Sequence, residues 1–120
     1  MSNSKMKPSL KQGDIILCDF DPQSGHEQAG RRPAIVVSKQ SYNEVSSVTM
    51  VCPITSTDRD WAFFVELPEG MKTYGKVVTD QIKSLDLKAR RYKFIEEAPL
   101  EVIDQVMGIL EAIFFDPSSG

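Results

Sequence analysis

The residues best suited to chemistry lie in one polar stretch between two apolar runs. Residues 13–38 read GDIILCDFDPQSGHEQAGRRPAIVVS. The centre of this stretch holds the only histidine of the chain, a carboxylate, an amide and two arginines: His26, Glu27, Gln28, Arg31 and Arg32. Loops between strands commonly present binding and catalytic side chains. The alternative is a hairpin loop whose charges are merely solvated, as most exposed charges are.

These residue types indicate chemistry at a phosphate. Arg32 precedes Pro33, which biases its backbone toward extended conformations. Its planar guanidinium can donate two parallel hydrogen bonds to a phosphate. His26 titrates near neutrality, so it can act as an acid or a base. One histidine and two separated cysteines do not supply the clustered ligands of a zinc site, and we therefore expect no metal and no other cofactor.

The same residues carry a resemblance to a known family. GDI-x4-DFDP, followed by G-x-EQ-x-G-x-RP and an aliphatic run, is similar to the MazF/PemK/Kid family of toxin endoribonucleases. The likeness continues through VCPIT (51–55), FFVEL (63–67) and GKVVTDQIKSLDLKAR (75–90), so it covers residues 13–114. Two such motifs in the expected order are more specific than either motif alone.

The resemblance implies a metal-independent, sequence-specific endoribonuclease that acts as the toxin of a type II toxin–antitoxin system. The 2'-OH of single-stranded RNA (mRNA) would attack the adjacent phosphorus, leaving a 2',3'-cyclic phosphate and a 5'-OH. The resemblance also implies a homodimer whose groove holds RNA. A cognate antitoxin would place an acidic, flexible tail in the same groove.

Catalytic roles follow from the resemblance position by position. Arg32 and Thr55 match a catalytic arginine and threonine of the family. His26 matches the Kid-like branch, whereas other members carry serine there. Asp80 matches an aspartate proposed as catalytic in that branch, but an arginine two residues earlier is replaced here by Val78. The interpretation with His26, Arg32 and Thr55 is therefore favoured, and Asp80 is either catalytic or structural, accepting backbone N–H bonds at a turn.

We expect RNA recognition from loops, because sequence-specific RNA-binding proteins mostly read unpaired bases. The expected RNA-binding residues are Glu27, Gln28, Arg31, Arg59, Trp61, Gln81 and Lys83. Trp61 is the best candidate for stacking on a base, and Tyr74 and Phe20 are further candidates. A tryptophan buried at the rim of a barrel is the alternative for Trp61.

The elements that would position these residues are mainly β-strands. Short β-branched or aromatic runs separated by turn residues predict strands at 15–20, 34–38, 48–52, 62–67, 77–78 with 81–82, and 92–95. Apolar residues at a 3/4 spacing predict an amphipathic helix over 99–114. These patterns favour a small barrel or sandwich, and the resemblance specifies a mainly β (β plus α) fold, an SH3-like β-barrel with a C-terminal amphipathic helix.

Length and composition bound the remaining possibilities. A chain of 120 residues predicts one domain, which we place at 11–116 between flexible ends at 1–10 and 117–120. No apolar stretch approaches the ~20 residues of a membrane span, and the N-terminus lacks a signal-like segment. Cys18 and Cys52 lie in apolar runs and read as buried thiols, which favours a cytoplasmic protein without a membrane partner.

The charge distribution leaves several functions open. A net charge of -3 argues against strong nonspecific nucleic-acid binding, but not against a local basic groove. Basic residues beside the selected loops are Arg31, Arg32, Arg59, Lys83, Lys88, Arg90 and Arg91. Three alternatives remain: a related gyrase poison that depends on the end of its C-terminal helix, a non-catalytic SH3-like adaptor, and an inactive family member. An adaptor would need an aromatic groove, for which three tyrosines and one tryptophan are few.

Overall fold

The structure, a computed structural model, describes residues 9–20 and 31–119, and these ranges contain seven strands and two α-helices. The strands are β1 (Asp14–Asp19), β2 (Arg31–Val36), β3 (Thr49–Thr55), β4 (Phe64–Glu66), β5 (Lys76–Val78), β6 (Lys83–Leu85) and β7 (Tyr92–Glu97). The helices are α1 (Gln40–Val45) and α2 (Leu100–Phe114), and a 3-10 turn follows at Pro117–Ser119.

The strands form one antiparallel sheet with the order β4-β5-β3-β2-β1-β7, and β6 also pairs with β3. Among the described residues the two end strands, β4 and β7, do not pair with each other, so the sheet curls without closing. The predicted fold class is confirmed: a mainly β, barrel-like sheet is followed by a C-terminal helix.

Both faces of the central strands are buried. Because successive side chains of a strand point to opposite faces, β1 and β2 divide their apolar residues between two clusters. The first cluster includes Ile15 and Ile35, and the second includes Ile16 and Ala34. Burial on both faces explains why the sequences of these strands are apolar without clean alternation.

The C-terminal helix covers the first cluster. Val102, Val106 and Leu110 recur every four residues on one face of α2 and are all buried in that cluster. Full burial of such a side chain contributes roughly 1.5–3 kcal/mol, so this stripe anchors the helix. The predicted helix is confirmed, although Pro99 is its N-cap and the first helical residue is Leu100.

Two local predictions differ from the structure, and one short helix was not predicted. Residues 81–82 were expected to extend a strand, but β5 ends at Val78 and β6 begins only at Lys83. Helix α1 was not predicted, because none of its six residues is buried and it shows no apolar stripe. Leu10, which the sequence placed in a flexible tail, is 5% exposed and packs in the second cluster, so the packed domain includes it.

Candidate active site

A cleft opens where β3 changes its pairing partner. Residues Thr49–Val51 of β3 pair with β6, whereas Ile54 and Thr55 pair with β5. Pro53 lies between these two pairings, so its missing N–H interrupts neither of them. Residues 79–82 must bridge from β5 to β6 and therefore pass over this gap.

The cleft has a volume of about 280 Å³. One side of the cleft is formed by the ends of β2 and β3. The other side is formed by the segment that follows β3, by β4, by the end of β5 and by the link at residues 79–82. The lining residues are Arg32, Pro53, Thr55, Thr57, Arg59, Trp61, Phe64, Val78, Asp80 and Gln81. Residues far apart in the sequence thus meet in one open, polar depression.

Arg32 and Thr55 are brought together by strand register. In the β2–β3 pair Ala34 lies opposite Pro53, and continuing this register by two residues places Arg32 opposite Thr55. Adjacent strands lie roughly 4.8 Å apart, and directly opposed side chains point to the same face. The exposed guanidinium and the half-buried hydroxyl therefore face the same cleft.

Gly75 allows the backbone to approach Thr55 closely. Its φ is +124°, and a Cβ at this position would lie 2.6 Å from the carbonyl oxygen of Thr55. No side chain fits there without displacing the end of β3. The glycine therefore allows β5 to lie directly against the end of β3 at Thr55.

The segment after β3 is fastened to β5 by Lys76. Its ammonium donates to the carbonyl oxygen of Arg59 at 2.7 Å and lies 3.6 Å from a carboxylate oxygen of Asp60. The Arg59 guanidinium sits 5.7 Å from the centroid of the Phe64 ring, within the range of a cation–π contact. These contacts hold the guanidinium of Arg59 in the cleft wall, in addition to that of Arg32 from β2.

Trp61 and Asp80 form a hydrogen-bonded pair in the cleft wall. The indole N–H donates to Asp80 Oδ2 at 3.1 Å. The indole also packs edge-to-face on Phe63, with ring centroids 5.4 Å apart. Because Trp61 remains 49% exposed, it is neither a core residue nor a freely rotating surface residue.

The cleft collects most of the site residues that were predicted within the described ranges. Six of them line it: Arg32, Thr55, Arg59, Trp61, Asp80 and Gln81. Arg31 and Lys83 do not line it; Arg31 lies at the start of β2 opposite Asp19, and Lys83 lies on β6 opposite Val51. His26, Glu27 and Gln28 lie outside the described residues.

The other two aromatic candidates lie elsewhere. Phe20 is half-buried and packs against the second core cluster. Tyr74 is 79% exposed and lines a separate cleft with Lys72 and Ile95. Of the three proposed stacking residues, only Trp61 faces the cleft that holds Arg32 and Thr55.

The sequence analysis did not identify Thr57 and Phe64. Thr57 Oγ1 accepts a hydrogen bond from the backbone N–H of Arg59 at 3.1 Å, and Phe64 carries the cation–π contact. A hydroxyl two residues after Thr55 was a usable signal for Thr57. The role of Phe64 depends on the packing of the folded chain.

Neither cysteine is a nucleophile at neutral pH. Burial raises the pKa of Cys52 to about 12, and the nearby Asp80 carboxylate raises it further. Burial likewise raises the pKa of Cys18 to about 12, although the positive charge of Arg90 lowers it in part. Both are free thiols, and they belong to different core clusters.

The remaining basic residues named from the sequence line a different cleft. Lys88, Arg90 and Arg91 border a depression of about 470 Å³ together with Tyr92. Arg90 is tied to β1 there, because its Nη1 donates to the carbonyl oxygen of Asp19 at 2.8 Å. Five of the seven basic residues named from the sequence thus line one of two clefts, and Arg31 and Lys83 line neither of these two.

Residues 9–20 and 31–119 contain no cluster of three or more His, Cys, Asp or Glu side chains that could hold a metal ion. In the same part of the chain, no helix is long and apolar enough to cross a membrane.

The fold and the cleft define a small, barrel-like domain in which an arginine of β2 and a threonine of β3 line one cleft. Residues 11–114 match the family described as PemK-like, MazF-like toxin of type II toxin-antitoxin system. The protein belongs to this family, since the match spans most of the chain.

Individual relatives agree with this assignment. Endoribonuclease PemK of Escherichia coli is 36% identical over 113 residues, which cover 91% of this chain and 85% of the relative. The crystal structure of MazF from Deinococcus radiodurans has a TM-score of 0.78 and 38% identity, covering 89% of this chain and 97% of that one. MazE–MazF from the same organism gives a TM-score of 0.76 with 33% identity, covering 89% and 96%.

Proposed function

We propose that this protein is the endoribonuclease toxin of a type II toxin–antitoxin system and that it cleaves single-stranded RNA at specific sequences. The observation that carries the proposal is that Arg32 of β2 and Thr55 of β3 line the same open polar cleft. Membership of a toxin family whose relatives include named endoribonucleases supports it.

The proposed reaction uses the nucleophile that RNA carries. A base takes the proton from the 2'-OH, the 2' oxygen attacks the adjacent phosphorus, and the bond to the 5' oxygen breaks. An acid protonates the departing 5' oxygen, which leaves a 2',3'-cyclic phosphate and a 5'-OH. Negative charge grows on the non-bridging oxygens in between, so donors aimed at them lower the barrier.

The side chains of the cleft suit distinct parts of this reaction. Arg32 stabilises the phosphorane oxygens, since a guanidinium gives up its proton only with great difficulty. The Thr55 hydroxyl donates a hydrogen bond to the same group. We assign proton transfer to His26 on the basis of the family resemblance.

RNA binding would extend from the reacting phosphate along the cleft walls. Arg59 offers a second cation for a phosphate, and Gln81 offers an amide for a base edge. Trp61 presents a half-exposed ring on which a base can stack. The proposed contacts of Arg31, Lys83, Glu27 and Gln28 would lie beyond the cleft lining.

The proposal includes protein partners. As a family toxin, the protein would be neutralised by a cognate antitoxin whose acidic tail competes for the basic cleft. It would act in the cytoplasm, where free thiols such as Cys18 and Cys52 persist. We also propose a homodimer, because α2 ends in an exposed apolar group formed by Ile113, Phe114 and the adjacent Phe115.

The alternatives of a gyrase-poison-like or SH3-like protein-binding domain have no support from the relatives. The exposed end of α2 is the only one of their expected features seen in the described residues. An arginine and a threonine that face one cleft, which such domains would not need, are present instead.

Digestion of a long transcript in the presence of EDTA tests the proposal. We expect cuts at a few recurring sites, with new 5' ends that polynucleotide kinase can phosphorylate without prior phosphatase treatment. Arg32→Ala protein from the same preparation is the control for contaminating nucleases. Uncut RNA, or products with 5'-phosphate ends, would contradict the proposed reaction.

A further inference from the structure

Asp80 faces the candidate active site but is engaged by an aromatic side chain. Its Oδ2 accepts the indole N–H of Trp61 at 3.1 Å, across 19 positions of sequence. Both residues line the cleft. This hydrogen bond therefore commits one carboxylate oxygen of Asp80 to the indole.

The pair lies on two segments that are fastened together. The carbonyl oxygen of Phe63 accepts both the backbone N–H of Thr79 at 3.1 Å and its hydroxyl at 2.6 Å. The carbonyl oxygen of Trp61 in turn accepts the N–H of Phe64 at 3.0 Å. Because Thr79 is fully buried, this attachment fixes the backbone on both sides of the Trp61–Asp80 hydrogen bond.

The remaining freedom of the indole is its side-chain rotation, and two contacts restrict it. The Asp80 hydrogen bond fixes the N–H edge, and the edge-to-face contact with Phe63 fixes the ring plane at 65° to its neighbour. A ring held in this way and still 49% exposed loses little entropy when a base stacks on it. Stacking on aromatic rings is a general means of binding unpaired bases.

We propose that Asp80 is a positioning residue that holds Trp61 as a stacking surface for a base of single-stranded RNA, and that it transfers no proton in the reaction. The proposal rests on the proposed ribonuclease function. It assigns Asp80 a role different from the catalytic one that the family resemblance implies. The apolar Val78, two residues earlier, is consistent with this assignment because it cannot pair with an Asp80 carboxylate.

The fluorescence of the free protein tests the hydrogen bond itself. The chain has one tryptophan, so all indole emission comes from Trp61. We expect Asp80→Leu to increase acrylamide quenching and lower the fluorescence anisotropy, because the ring is released. Asp80→Asn should restore both values, since its amide oxygen accepts an N–H without carrying charge. Equal quenching in wild type and Asp80→Leu would overturn the proposal.

Cleavage kinetics test the role in the reaction. We expect Asp80→Leu to raise KM by roughly three- to tenfold while changing kcat by less than about twofold. Asp80→Asn should bring KM back toward the wild-type value. A large loss of kcat in Asp80→Asn with unchanged fluorescence would instead identify Asp80 as an acid or base and overturn the proposal.

A double substitution isolates the pair. Trp61→Phe keeps an aromatic ring but lacks the N–H donor, so adding Asp80→Leu to it should raise KM no further. An additional rise as large as that caused by Asp80→Leu alone would show that Asp80 acts independently of Trp61 and would contradict the proposal.

Failure of this inference can be told apart from failure of the proposed function. Quenching of Trp61 by a single-stranded RNA carrying 2'-deoxy substitutions measures binding without cleavage. If wild-type protein binds such RNA but does not cut the matching all-RNA strand, the ribonuclease function fails while the stacking surface stands. If wild-type protein cuts RNA, and Asp80→Leu has the same indole quenching and the same KM as wild type, the ribonuclease function stands and the inference fails.

Discussion

Arg32 is the residue on which the proposed chemistry most depends. It is exposed at the start of β2 and contributes one guanidinium to the cleft, so removing it costs the fold little. Arg32→Ala should lower the cleavage rate by about 10²–10³-fold, as expected for loss of one transition-state donor. The rate and the thermal melting temperature of the same sample check this.

Arg31→Ala is the matched control for that variant. Arg31 is the neighbouring exposed arginine and lies outside the cleft lining, so its loss should weaken RNA binding modestly and leave kcat nearly unchanged. Full activity in Arg32→Ala with an unchanged melting temperature would contradict the role assigned to Arg32.

The two cysteines make a prediction about pH. The pKa of each thiol is raised by burial from 9.0 to about 12. Between these values the unfolded chain has lost protons that the folded chain keeps, so the free energy of unfolding should fall as pH rises from about 9 to 12. It should show no such fall from these groups below pH 8.

Thiol labelling measures the same property directly. Iodoacetamide at pH 8 should modify neither Cys18 nor Cys52 in the folded protein, and both after denaturation, because the thiolate is the reactive form. Rapid labelling of the native protein would show that one thiol is accessible and ionised.

At the scale of elements, the position of Thr55 depends on the close approach of β5 to β3. Gly75→Ala places a Cβ against the Thr55 carbonyl at a φ of +124°, so we expect a loss of about 1–3 kcal/mol in stability and reduced cleavage. Chemical denaturation and the cleavage rate check both effects.

Gly70→Ala separates the effect of backbone strain from the effect of the contact with Thr55. Gly70 also has a positive φ, of +96°, but a Cβ there meets nothing within 4 Å. It should therefore lose stability through backbone strain while keeping its activity. If Gly75→Ala retained full activity as well, the contact with Thr55 would not matter for catalysis.

The sequence predicted those elements whose patterns are set locally. The stripe of Val102, Val106 and Leu110 defines α2 because helical periodicity can be seen in the sequence. Helix α1 has no buried residue, so its side chains leave no such pattern. It is secured instead by Asn43, whose amide donates to the carbonyl oxygens of Leu10 and Ser38, and the first of these contacts spans 33 positions.

Most of the polar residues that line the candidate site were predictable from the sequence, but their arrangement was not. Arg32 and Thr55 were found through motifs, and strand register explains why they meet. The hydrogen bond between Trp61 and Asp80 was not predictable, since it depends on the path of residues 79–82 over the gap beside Pro53. The type of a residue shows which chemistry its side chain could perform. Which of these it performs depends on the neighbouring side chains, and those are known only once the chain is folded.

At the scale of the whole molecule, the exposed end of α2 predicts the dimer contact. Phe114 is 72% exposed on α2, beside the exposed Phe115. Phe114→Asp should convert a dimer to a monomer, because a charge there opposes burial of an apolar surface. Light scattering after size-exclusion chromatography measures this.

Val45→Asp is the control, since Val45 is an 85% exposed apolar residue on α1. This variant should keep the wild-type mass. A wild-type monomer would contradict the homodimer, and a dimeric Phe114→Asp protein would show that the contact lies elsewhere.

The most direct test of the central claim uses two matched oligonucleotides that contain a cleavage site mapped on a transcript. One is all RNA, and the other carries a single 2'-deoxy nucleotide at the cut position; both are incubated with the protein in EDTA. The account predicts that only the all-RNA strand is cut, leaving a 5'-OH. Cleavage of both strands would show that the 2'-OH is not the nucleophile and would contradict the roles assigned to Arg32 and Thr55.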